Sequence, residues 1–157
     1  MRSRLLLAAG ATAIVGTLAI GVGAGGATTP KAIKISCTSK TYNQSFPNAS
    51  GLLFAVVKCS KPFGNGIQQG TFANSLSGST LTSTGTVKNY YDAGTIHGTY
   101  KLKANVVGSG ATTATGTVTV TGGTGAYRGS KGSGKITCTT SDAGKTYACS
   151  TKGTVTL

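Results

Sequence analysis

From Ala32 onward the chain alternates apolar or small residues with threonine, serine and lysine, the period-two pattern of half-buried strands. Glycine, serine and asparagine clusters interrupt the alternation at short intervals. Strands are predicted over Ala32–Ser39, Leu52–Ser60, Ile67–Asn74, Thr80–Lys88, Thr95–Val107, Thr113–Thr121, Lys131–Thr140 and Tyr147–Val155. Eight strands suffice to close a small barrel whose interior holds side chains or one small ligand. Short links such as Ser75–Ser79 and Gly108–Gly110 favour an antiparallel up-and-down order. The predicted fold is therefore all-β, an eight-stranded antiparallel up-and-down barrel, with a two-sheet β-sandwich as the alternative. No linker or change of composition divides it.

The same alternation assigns faces. In the fifth strand Ile96, Gly98, Tyr100, Leu102, Ala104 and Val106 share the inner face, and His97, Lys101 and Lys103 share the outer one. In the sixth, Gly116, Val118 and Val120 point in, and the threonines at 113, 115, 117, 119 and 121 point out. Leu52–Val57 is apolar on both faces. Its outer side is expected to be covered, by the Tyr42–Ser50 loop or by a partner subunit.

Ahead of the strands, Arg2 and Arg4 precede an apolar stretch from Leu5 to Ile20, and small residues follow at Gly23–Ala27. This is the layout of a cleaved export signal over residues 1–27, ending at Ala24 or Ala27, and it leaves one barrel domain over 28–157 with no membrane span. The expected location is secreted, extracellular or periplasmic. Cysteine usage agrees with export. Cys37, Cys59, Cys138 and Cys149 form an even set that reads as two disulfides, with three pairings open. If Ala143-Gly144 form a two-residue turn, Cys138 faces Cys149 across a hairpin, and Cys37 is left to join the first two strands through Cys59. Such staples are each worth about 2–4 kcal/mol.

Charge adds one partner class. Without Arg2 and Arg4 the chain carries 13 basic and 2 acidic residues, a net +11. Such a field attracts anionic polymers. The lysines are scattered singly, however, and no nucleic-acid-binding signature accompanies them, so no specific nucleic-acid role is expected. Catalytic chemistry is poorly supplied. His97 is the sole histidine, Asp92 and Asp142 are the only acids, and no Gly-x-Ser-x-Gly elbow is present. No cofactor, metal site or catalytic residue is predicted.

One stretch stands apart: Gly116–Gly134, where Gly122-Gly123-Thr124-Gly125 leads into Tyr127 and Arg128, the only bulky side chains of that turn. Gly122, Gly123, Thr124, Gly125, Tyr127, Arg128 and Gly132 match a block that resembles the C-terminal hallmark of the dirigent and allene-oxide-cyclase-like β-barrels; Ser130-Lys131 stand where Ala-Arg is usual. The resemblance implies a barrel whose interior guides phenoxy-radical coupling or closes an epoxide, with acidic groups assisting. It also implies a partly architectural role for Arg128 and a tendency to homo-oligomerise. The acid usual before the block is missing, since that run here is Thr113-Ala114-Thr115-Gly116-Thr117.

The resulting expectation is a secreted, non-catalytic, dirigent-like barrel that binds a small apolar or phenolic ligand or an anionic surface polymer. Tyr100 and Leu102 are expected to line the ligand site, with Tyr127 and Arg128 at its rim. The alternatives are an isomerase, cyclase or coupling guide, which needs Asp92 turned into the barrel, and a structural cell-surface protein.

Overall fold

A computed structural model describes residues 30–45, 48–106 and 112–157. The expected export signal lies outside the described residues. Eight strands run in chain order: β1 (Ala32–Asn43), β2 (Ser50–Cys59), β3 (Asn65–Ser77), β4 (Thr80–Tyr91), β5 (Gly94–Asn105), β6 (Thr112–Gly123), β7 (Lys131–Thr140) and β8 (Thr146–Thr156). Each pairs antiparallel with its neighbours in sequence, and β8 returns to β1. The sheet is a closed barrel, which settles the choice against a sandwich.

Several strands outrun the sequence boundaries. β1 continues through Lys40–Asn43 and β4 through Asn89–Tyr91, because pairing with β8 and β5 holds these polar and aromatic residues in the ladder. Tight turns follow from this extension. Gly78 and Ser79 alone link β3 to β4, and Asp92 and Ala93 alone link β4 to β5. Inside and outside follow the alternation in β5 and β6. On the outward side of β2, Leu52, Phe54 and Val56 are 41%, 40% and 53% exposed, so the described residues of the neighbouring loop leave them uncovered. They join Tyr42, which faces Phe54, and Ile67, which faces Val56, in an apolar band across β1–β3.

The two barrel ends differ. At one, the β2–β3 and β6–β7 connections fold inward and pack Phe63 and Tyr127 against Ile96, Val120 and Val155. The other end, framed by the β3–β4 and β7–β8 turns, is open among the described residues. The interior between them is only partly filled. Leu53, Phe72 and Val87 cluster with Tyr100 partway along, and Ala104, Ala114 and Cys138 lie nearer the open end.

The disulfides are Cys37–Cys59 and Cys138–Cys149, each joining residues directly opposite in register. Turn chemistry sets the second. Ala143 and Gly144 both take positive φ, at 57° and 99°, as a two-residue hairpin turn of the primed type requires. Asp142 fastens this turn. Its carboxylate accepts hydrogen bonds from the Thr146 hydroxyl (2.6 Å), the Thr146 amide (2.8 Å) and the Thr140 hydroxyl (2.8 Å). Those bonds, the Thr146 hydroxyl foremost, pull its pKa down to about 2.

Replacing Cys138 and Cys149 together by Ser removes a staple spanning 11 positions. The expected loss is about 3 kcal/mol, seen in calorimetry as a Tm lower by several degrees with an unchanged far-UV spectrum. An unchanged Tm would mean that the turn and ladder alone hold the hairpin.

Candidate functional site

The interior contains a cavity of about 510 Å³ that reaches from the open end down to Phe63, Tyr91 and Ile96. Backbone geometry makes the room. Gly85 on β4 stands opposite Tyr100 on β5, and a Cβ there would lie 1.9 Å from the Thr71 carbonyl oxygen and 2.9 Å from the Tyr100 ring. With no side chain in the way, Tyr100 leans across β4 and donates its hydroxyl to the Thr71 carbonyl at 3.2 Å. Tyr100 and Leu102, both expected as lining residues, do line the cavity.

Tyr127 and Arg128 are placed differently from expectation. Their turn is at the closed end, away from the opening, so neither forms a rim. Tyr127 is only 3% exposed and belongs to the floor; Arg128 is exposed on the outside, and neither lines the cavity. The glycine block acts as a bracket for this floor. Gly125 adopts φ 59°, and a Cβ there would meet the Ala93 carbonyl oxygen at 2.4 Å, so the turn presses directly on the β4–β5 connection. Ala126 donates to Ala93 at 2.9 Å and Thr124 to Thr95 at 2.9 Å. The fully buried Ser130 hydroxyl donates to the Tyr127 carbonyl at 2.6 Å. This frame aims the Tyr127 ring inward.

The floor itself is three aromatic rings. Phe63 lies 5.5 Å from Tyr91 and 4.9 Å from Tyr127, and the two tyrosines meet edge to face at 6.0 Å. The Tyr127 hydroxyl donates to the Pro62 carbonyl at 3.4 Å. Burial, and then the neighbouring Tyr127, push the Tyr91 hydroxyl up to about 12.

Acidic groups are absent from this interior. Asp92 sits exposed in the β4–β5 turn and Asp142 in the β7–β8 turn, and neither lines the cavity. His97 is on the outer side, its Nε2 2.9 Å from the Thr95 hydroxyl. Among the described residues no group of His, Cys, Asp and Glu is arranged to hold a metal.

Sequence reasoning missed Phe63, Gln68, Tyr91 and Asn89 as interior residues. Continuing the β4 alternation from Val87 would have reached Asn89 and Tyr91. Phe63 had no such signal, because it sits in a connection and not in a strand. Asn89 is the anomaly among these four. Its Oδ1 is buried and has no hydrogen-bond partner among the described residues, and leaving such a group unpaired costs about 1–3 kcal/mol.

No family model matches the chain, and no curated protein matches it. Among solved structures it is similar to a pterocarpan synthase dirigent protein, at 11% identity and a TM-score of 0.42, over 82% of this chain and 86% of that one.

Tyr91 yields a pH prediction. Unfolded, this tyrosine ionises near 10, whereas folded it holds its proton to about 12. Its contribution to stability is therefore complete below pH 10 and lost as pH rises through that window. Alkaline denaturation monitored by circular dichroism should begin within it, and a Tyr91→Phe protein should hold its Tm to higher pH than the parent. Identical alkaline profiles would place the sensitivity elsewhere.

Proposed function

We propose that the protein is an exported, non-catalytic, dirigent-like barrel that holds a small apolar or phenolic molecule in its interior. The cavity carries this reading. At about 510 Å³ it falls within the size range of ligand pockets, and apolar side chains such as Leu102, Val118, Val120 and Ile136 make up much of its wall. Two disulfides suit an oxidising compartment, in keeping with secretion. In this reading Tyr100 and Leu102 contact the ligand, Tyr127 supports the floor from behind, and Arg128 takes no part. The rival enzyme reading depends on Asp92 inside the barrel, and its exposed position in the closed-end turn does not favour it.

A second reading, attachment to an anionic surface polymer, draws on the outer face of β5–β8. Lys101 faces Thr117, Thr117 faces Lys135, and Lys135 faces Lys152, so three exposed lysines share one row. Like charges directly opposite on a sheet repel, and an anionic chain laid along the row relieves that repulsion.

Filling the cavity tests the first reading. Val118→Trp should weaken binding of 4-propylphenol at least about tenfold, an affinity change of about 1.4 kcal/mol, with the far-UV spectrum retained. Arg128→Ala should leave binding unchanged. Binding that survives the tryptophan would move the ligand out of the barrel. For the second reading, binding of polyglutamate should weaken steeply with added salt, because screening shortens to about 10 Å at 0.1 M. Replacing Lys135 and Lys152 by Ala should flatten that dependence; an unaltered salt profile would remove the lysine row from the site.

A further inference from the structure

The cavity wall is mostly apolar, but its amides are unevenly placed. β5, β6 and β7 face it with residues such as Tyr100, Leu102, Val118, Val120 and Ile136, whereas β3 and β4 set three amides, Gln68, Asn74 and Asn89, among apolar side chains such as Phe72, Leu81 and Val87. Gln68 and Asn89 stand directly opposite each other in the β3–β4 register. They lie deep, since Asn89 is two positions from the floor residue Tyr91 and pairs on its other side with Ile96. Amides on directly opposed positions are close enough to bond, yet among the described residues Asn89 Oδ1 has no hydrogen-bond partner, Gln68 included. Such an arrangement is costly in a largely apolar interior unless a further group completes it.

From this we infer that Gln68 and Asn89 form a polar clamp at the bottom of the cavity, which selects an uncharged ligand entering with a hydroxyl foremost. The inference rests on the ligand-binding reading above and adds the polarity, charge and orientation of the ligand. A hydroxyl suits the clamp because it both donates and accepts, whereas a primary amide presents an oxygen on one side and a nitrogen on the other. Either orientation of the Asn89 amide is thus served, the torsion that exchanges the two being soft. Charge argues in the same direction. Among the described residues Lys103 is the single charged one bordering the cavity, and it is an exposed residue near the end of β5 remote from the floor. A carboxylate driven to the floor would find no cation there, and a bare ion in such a site is strongly disfavoured. The apolar body of the ligand then lies between Tyr100, Leu102 and Val118.

The test uses calorimetric titration of the disulfide-bonded protein with three matched probes: 4-propylphenol, its methyl ether 4-propylanisole, and 4-propylbenzoate. The phenol should bind about tenfold more tightly than the ether, and the benzoate most weakly. In Asn89→Leu, which keeps the branched shape and removes the amide, phenol and ether should bind within about twofold of each other, through weakening of the phenol alone. Gln68→Leu gives a second variant should the first not fold, with the same narrowing expected. Equal binding of phenol and ether to the parent protein overturns the clamp while leaving the ligand-binding reading standing. So does a phenol preference that persists in both variants, and so does tightest binding of the benzoate. If no probe binds at all, the ligand-binding reading fails and the clamp falls with it.

Discussion

The seam between β1 and β8 is the constraint on which the remainder depends. It runs from Ala32 paired with Thr156 to Tyr42 paired with Thr146. Its ends are also fastened: the Leu157 amide donates to Lys31 at 3.3 Å, and the Asn43 side-chain amide donates to Gly144 at 2.7 Å. Without the seam the sheet has two free edges, and the inward residues no longer face one another across an enclosed space. A closed sheet leaves no unpaired strand edge for other chains to extend.

Closure also explains how a barrel can keep a cavity. A packed core would need large side chains at most inward positions, but many are glycine, alanine or serine. Hydrophobic packing is instead concentrated at the Phe63, Tyr91 and Tyr127 floor and in the Leu53, Phe72 and Val87 cluster. The floor carries a second burden, since it keeps one end of the barrel shut. Stabilising packing and cavity space therefore occupy different levels of the same barrel, and substitutions at the two levels should have separable effects.

Much of this was legible from residue order. Alternation located all eight strands and the faces of β5 and β6, and the Ala143-Gly144 turn chemistry led to the Cys138–Cys149 pairing. The missed features share a physical cause. Whether Tyr127 belongs to a rim or a floor depends on contacts with Phe63 and Pro62, more than sixty positions away in the chain. No local pattern encodes which barrel end is shut. Asn89 was overlooked because polar residues at the end of a strand resemble the start of a turn, and only pairing across the sheet shows that the strand continues. The outer apolar band on β2 was visible, but its exposure was not, since exposure depends on what the adjacent loop covers.

The placement of the two disulfides has a consequence for how the chain reaches this state. Each bridges neighbouring strands, β1 with β2 and β7 with β8, and neither crosses the seam. An oxidised chain thus starts its search with two hairpins already tied, one at either end of the sequence. The joining of those hairpins pairs residues as distant as Ala32 and Thr156, the most non-local event in the fold. Barrel closure becomes a docking of two preformed units in place of a search by two loose termini, and a reducing environment would slow that encounter even where it left the final architecture unchanged.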